Sequence, residues 1–397
     1  VHGLSIPGLR RGLGIILILL FASACASPVS TLPSARSAAE SATLVPTIPI
    51  TSAPVAPATS TPNSPSPLPA ATADVDVQPA AVIASPVPSS TPEPAPAEAA
   101  PFDSALAGEL QQILDATVAD GTIPGAVLAV HIPGHTPWSG ASGLADRRQR
   151  LPMEPSTRVR IASISKIFTA VVVMQLVEEG AIDLDAPMTT WLPDLVPNGE
   201  QITVRNLLNH TSGLYDFVED RRFISHGYQK PDRMWEPQEL VAYAVKHRPA
   251  FAPGAEGAFD YSSTNYVILG MIVERVTGNS LAHEMKQRIF EPLRLENTFF
   301  APHDAVQGQQ AHGYMHQTDQ TDISLSIVFA TANLVSTASD TQRFGQALLD
   351  GELLRPATRA LMYQFVNGHG QYNMPDLAYG EGIMRNRLPV GPGPDGR

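Results

Sequence analysis

Residues 163–177 read Ser-Ile-Ser-Lys-Ile-Phe-Thr-Ala-Val-Val-Val-Met-Gln-Leu-Val, apolar on nearly every helical face with one lysine near the start. A helix of that pattern has no solvent side, so it belongs in a core with other elements packed around it. Lys166 is carried inside with it. Burial disfavours the charged ammonium and makes the amine a proton acceptor. Ser163 lies three residues earlier, one turn back on the same face, with its own N–H at the electropositive helix start. A hydroxyl nucleophile, a base and a backbone donor for an oxyanion thus fall within one turn. The spacing alone is weak evidence: with four lysines in the chain, about 0.3 Ser-x-x-Lys matches arise by chance. The competing reading is a lysine that snorkels from a helix start.

The chain's 397 residues and 43% hydrophobic content allow such a core, but the globular part does not begin at once. Roughly half of the 37 prolines precede residue 102, within a stretch of Ala, Pro, Ser and Thr running over 26–101. Such a segment buries too little apolar surface to offset its ordering entropy and reads as a disordered linker, about 50 Å long as a coil and about 230 Å as polyproline II. Before it stand Arg10-Arg11, the apolar run Gly12 to Phe21 and Ala22-Ser23-Ala24-Cys25, the layout of a secretory signal too short to span a bilayer. The end of this run resembles a bacterial lipobox, with Ala22 in place of the usual Leu, which implies lipidation at Cys25. The expectation is an exported lipoprotein on the outer face of the cytoplasmic membrane, with plain secretion as the alternative. The domains expected are 1–25, 26–101 and 102–397.

Cys25 is the only cysteine, which excludes an internal disulfide, a CxxC pair and a Cys-rich zinc site. A net charge of -12 argues against nucleic acid as a partner. That surplus resides in the folded region, with 23 basic and 33 acidic residues after position 101.

From Phe102 the pattern becomes periodic. Asp103–Asp120 reads as an amphipathic helix with Leu106, Leu110, Leu114 and Val118 on one face. Gly125–Ile132 and His135–Leu144 read as strands around a Pro133-Gly134 turn. Further helices are expected over Ser163–Glu179, Thr203–Asn209, Pro237–Lys246, Ser262–Val276, Ser339–Leu349 and Pro356–Gln364. This order predicts an α+β domain whose antiparallel sheet is completed by strands from the far end of the chain.

Four stretches, taken together, resemble the serine β-lactamase and D-alanyl-D-alanine carboxypeptidase superfamily, on its class C side. They are Arg160-Ile161-Ala162-Ser163-Ile164-Ser165-Lys166, Leu207-Leu208-Asn209-His210-Thr211-Ser212-Gly213-Leu214, Tyr261-Ser262-Ser263-Thr264-Asn265-Tyr266, and Leu334-Val335-Ser336-Thr337-Ala338-Ser339-Asp340. The resemblance implies a β-lactamase/transpeptidase-like fold with an added helical subdomain and no cofactor or metal. Ser163 is implied as the acylated nucleophile, Lys166 as the partner that deprotonates it, and Tyr261 as sharing the base role and returning a proton to the leaving group. A phenol needs a neighbouring cation for that. Ser262 or Ser263 would cap the helix that follows.

Two departures stand out. The second motif is commonly Tyr-x-Asn, but its third position is Ser263, so Ser263 and Asn265 are the candidates for holding substrate, with Asn265 alternatively no more than a helix-start residue. The third motif, a Lys/His-(Ser/Thr)-Gly or His-Gly-Gly strand, is expected beyond Tyr379–Met384 and is not met before Arg397. The expectation is a C-terminally incomplete or degenerate hydrolase lacking its last strands, and loss of one oxyanion donor costs roughly 10²- to 10³-fold in rate. His210-Thr211-Ser212-Gly213 is out of order as a substitute and reads as structural.

Other patterns are set aside. Gly391–Gly396 matches GxGxxG but reads as a turn. His312 and His316 read as loop histidines, and Thr337 with Asp340 as a capping box. The function expected is a cell-envelope serine hydrolase, carboxypeptidase-like or β-lactamase-like, acting on a peptidoglycan peptide or another small molecule. The alternative is a non-catalytic envelope-binding lipoprotein.

Overall fold

The computed structural model describes residues 16–21, 99–315 and 318–386. Cys25, the Pro-rich stretch up to residue 98, His316 and Gly391–Gly396 lie outside the described residues. Asp103 opens helix α1 (Ser104–Val118), its carboxylate accepting the N–H of Ala105 at 2.8 Å and of Leu106 at 2.9 Å. Alternate residues of strand β2 (Gly125–His131) face opposite ways. Ala126, Leu128 and Val130 meet Leu110 and Leu114 of α1, while Val127 and Ala129 enter the main core. Both faces are covered, so the sheet is a middle layer between helices.

β2 pairs antiparallel with β3 (Trp138–Asp146), and a register shift between Leu144 and Asp146 leads to β4 (Leu151–Pro152). β3 starts at Trp138 and not at His135, because Pro137 has no N–H to give a ladder. On the other edge of β2 lies β1 (Ile16–Phe21), Ile16 opposite His131 and Phe21 opposite Ala126. The segment read as a signal core is here an outer strand, a fate its Ile-rich apolar run also permits. The sheet order is therefore β1-β2-β3-β4. Among the described residues, far-end strands do not complete it. Leu334–Ser336 pairs instead with β5 (Val159–Arg160) and Phe299–Phe300, and Ala378–Tyr379 lies between Val366–Asn367 and Met384–Arg385.

Helix α2 (Ser165–Glu178) runs through the main core as its sequence demands, with Phe168, Ala170, Val171, Val172 and Val173 fully buried. Phe168 stacks on Phe344 at 3.7 Å between ring centroids. Helices α3 (Val204–Leu208), α4 (Arg221–Gln229), α5 (Pro237–Ala244) and α6 (Ser263–Thr277) build the helical side, α6 burying Tyr266 to Val273. α4 carries few apolar residues and is set by Asp220, which accepts from Arg222 and Phe223 N–H. Thr337 caps Ala338–Asp350 through the Asp340 N–H, but the expected reciprocal box does not form. The Asp340 carboxylate turns to the Asn297 N–H and the Thr298 hydroxyl.

Candidate active site

Ser163 sits on a one-turn 3-10 helix (Ala162–Ile164) that leads into α2, preceded by Ala162 at φ 47, a left-handed conformation unusual for a residue with a Cβ. The turn is strapped to the neighbouring strand: Ile161 N–H donates to Leu334 O at 3.0 Å, and Leu334 N–H to Ser165 Oγ at 3.1 Å. This leaves Ser163 exposed while Lys166, one turn on, is 1% exposed. Lys166 Nζ lies 3.3 Å from Ser163 Oγ, 3.4 Å from Ser263 Oγ and 3.3 Å from the Thr331 carbonyl. It also faces the Tyr261 ring at 4.8 Å and the Tyr266 ring at 5.8 Å. Ser163, Lys166, Tyr261 and Ser263, all expected from sequence, are thus brought together.

Asn265 is fully buried, its amide occupied by the Ser212 hydroxyl at 2.6 Å and His210 Nδ1 at 3.0 Å, the arrangement of the helix-start residue that is its alternative reading. Ser262 is the N-cap residue of α6, as expected, but its side chain makes no capping hydrogen bond. The N–H of Ser262 goes to His210 Nδ1 at 3.1 Å. Ser263 is buried, with its hydroxyl against the Lys166 amine.

The residues that sequence reasoning missed come from three directions. Residues 210–216 wrap the start of α6, which gives the His210-Thr211-Ser212-Gly213 stretch a positioning task. Because His210 Nδ1 accepts from a backbone N–H, its proton is on Nε2, which is buried without a hydrogen-bond partner. Burial, followed by the Lys166 charge, holds His210 well below the usual imidazole range, so the ring is neutral. Its ring lies 4.3 Å from Tyr261 and 4.6 Å from Tyr379. Burial also pushes Tyr266 and Tyr379 well above the usual phenol range, and both stay protonated. Gln371 bridges the second motif, accepting from Tyr261 N–H at 3.2 Å and donating to Asp260 at 3.1 Å. A polar residue that acts only through contacts between distant segments leaves no local signal.

Behind Tyr379 the Glu381 carboxyl is buried, pushed up to about 8 by desolvation despite Arg205 at 3.4 Å. Among the described residues no cluster of His, Cys, Asp or Glu is arranged to hold a metal ion. His312 is instead paired with Asp319 at 2.7 Å and Asp146 at 3.5 Å. The chemistry on offer is nucleophilic: an exposed hydroxyl against a buried amine, with a phenol beside it.

Comparison with known proteins agrees. The family described as "Beta-lactamase" matches residues 110–394. A D-stereospecific amidohydrolase from Streptomyces sp. superposes with a TM-score of 0.64 at 35% identity, covering 72% of this chain and 84% of that one. Penicillin-binding protein 4 of Amycolatopsis lactamdurans is 30% identical over 287 residues, 68% of this chain and 71% of the relative. Esterase EstB of Burkholderia gladioli is 34% identical over 209 residues, 50% of this chain. The chain spans only 52% of the esterase's length. On this match and this site, the chain belongs to the Beta-lactamase family, within the serine β-lactamase and transpeptidase-like superfamily of serine hydrolases.

Proposed function

We propose that the domain hydrolyses amides or esters of small amino-acid or peptide substrates through an acyl-enzyme on Ser163. The observation that carries this reading is the 3.3 Å contact between the exposed Ser163 Oγ and the buried Lys166 Nζ. The amine takes the hydroxyl proton as Oγ attacks the carbonyl, and the Ser163 N–H at the helix start faces the oxyanion. Tyr261, over the same amine, passes a proton to the leaving group, and water then attacks the acyl ester.

The charge around Tyr261 supports a substrate bearing an ammonium. Asp260 is half-buried and raised by desolvation. Glu219, exposed nearby, is raised by partial burial and then by Asp216 and Asp260. A bound cation would favour the ionised form of both carboxylates. This favours amino-acid amides and esters, the amides in keeping with the D-stereospecific amidohydrolase from Streptomyces sp.. A carboxypeptidase-like role is the second reading, favoured by the likeness to penicillin-binding protein 4. Release of product from an amino-acid amide, a p-nitrophenyl ester, a chromogenic β-lactam and a D-Ala-D-Ala peptide, each against Ser163→Ala, ranks the substrates. Turnover of none of them by the unsubstituted protein would favour the non-catalytic binding role.

An exported, lipid-anchored location is part of the same proposal, supported by the N-terminal sequence alone. Cleavage before Cys25 would remove Ile16–Phe21 from the sheet edge, so the signal and strand fates exclude each other. The N-terminal sequence of the mature protein distinguishes them, and Cys25→Ser releases the protein from membranes if the anchor is real.

A further inference from the structure

We propose that Tyr372 is a specificity-determining residue: its ring forms an aromatic wall on the leaving-group side of the site and favours amides and esters whose leaving group is aryl. The inference rests on the acyl-enzyme reading of Ser163 and names a substrate class for it.

Three rings meet the ring of Tyr261. His210, at 4.3 Å between centroids, and Tyr379, at 5.9 Å, are buried. Tyr372 stands edge-on at 5.7 Å and 80° and is 55% exposed, so it is the ring that carries this cluster out to solvent. Tyr261 in turn lies over the Lys166 amine, which meets Ser163 Oγ at 3.3 Å. The series runs from the nucleophile through the proton donor to an exposed ring. A proton handed on by Tyr261 goes to the departing atom, so what borders Tyr261 on its open side borders the leaving group. The backbone under Tyr372 is strained, at φ 59 and ψ 25, and His369 before it lies at φ 49, both left-handed for residues with a Cβ. Such conformations persist only where the surroundings fix them. Here Gln371 accepts from the Tyr261 N–H at 3.2 Å and donates to Asp260 at 3.1 Å, while its own N–H donates to Gly368 O at 3.0 Å. The His369 N–H donates to Asn367 Oδ1 at 2.7 Å, and its ring reaches the Gly257 carbonyl. The loop is thus docked on the segment that carries Tyr261 and holds a large ring out in water. A ring fixed in advance loses little freedom when a flat partner covers it. An aryl leaving group gains both apolar burial and ring contact there, whereas ammonia or a short alcohol gains neither.

The test compares two leaving groups on one acyl group: the p-nitroanilide and the primary amide of the same amino acid, each read as kcat/KM so that acylation is what is compared. Tyr372→Asn removes the ring and suits the left-handed backbone, and is expected to lower the anilide-to-amide ratio by about fivefold or more. Tyr372→Phe keeps the ring and should hold the ratio within about twofold. A ratio unmoved by Tyr372→Asn, with both substrates losing equally, would mean that the residue only supports the loop, and the proposal would be overturned. An equal fall in Tyr372→Phe would assign the effect to the hydroxyl and overturn it too. A second measurement needs no substitution and decides the matter if Tyr372→Asn does not fold. An incoming amine uses the leaving-group side in reverse: its nitrogen bonds to the acyl carbon, the ester bond to Ser163 Oγ breaks, and the proton lost by the amine returns to Oγ. Phenethylamine is expected to intercept the acyl-enzyme at least about threefold more often than butylamine, and equal interception would overturn the proposal. Absence of any Ser163 adduct with a fluorophosphonate is a separate result, which removes the hydrolase reading and this inference with it; an adduct with an unmoved ratio removes this inference alone.

Discussion

Lys166 is the residue on which the site turns, held by contacts that only a folded chain brings together. Its burial was legible because a lysine in an otherwise apolar helix has nowhere else to go, and Ser163 because three residues make one helical turn. Tyr261 was legible only through its motif. Thr331 and Gln371 were not legible at all, since each reaches the site from a segment remote in sequence. Asn265 stayed open between two readings for a related reason: a polar side chain beside a motif looks available until His210 and Ser212 are seen to claim it. Replacing Lys166 by methionine, similar in length and uncharged, is expected to slow acylation of Ser163 by at least about 10²-fold. The melting temperature should hold or rise, because a buried polar group is exchanged for an apolar one of matching volume. Stopped-flow labelling together with thermal denaturation checks both halves.

At the scale of elements, α1, α2 and the β2–β3 hairpin follow from periodicity and turn residues, with ends displaced only where Pro137 or a cap intervenes. Helix α4 does not follow, because Arg221–Gln229 has few apolar positions and owes its start to Asp220. The stretch from His210 to Asp216 is the element that ties fold to site. Gly213 makes its turn at φ +74, and an added Cβ would lie 2.2 Å from the Phe251 carbonyl oxygen. Gly213→Ala combines a left-handed strain with a backbone clash and is expected to cost about 2–4 kcal/mol, seen as a lower urea midpoint. Gly121→Ala is the comparison, with φ +71 but open space around the new methyl, and should cost about 1 kcal/mol. Only the first is expected to slow Ser163 acylation in the fraction that remains folded.

For the whole molecule, a sheet covered on both faces and a central, mostly apolar helix place the nucleophile at the rim of the core and its base just inside. The same burial makes stability depend on pH. The Glu381 carboxyl keeps its proton to about pH 8 in the folded protein, whereas the unfolded chain releases it near the ordinary glutamate value. Between those values the unfolded state binds fewer protons, so stability falls as pH rises and levels off above about 8, a loss on the order of 3–5 kcal/mol. Glu381→Gln should flatten that decline and exceed the unsubstituted protein in melting temperature at pH 8; an unchanged slope would mean that the carboxyl is not protonated in the fold. The claim beneath all of this is that Ser163 becomes acylated. Peptide mapping after reaction with a fluorophosphonate or a labelled penicillin tests it most directly: the added mass should sit on Ser163 within the Ile161–Lys166 peptide and vanish in Ser163→Ala. An unmodified peptide, or an adduct on Ser165 or elsewhere that survives Ser163→Ala, would contradict it.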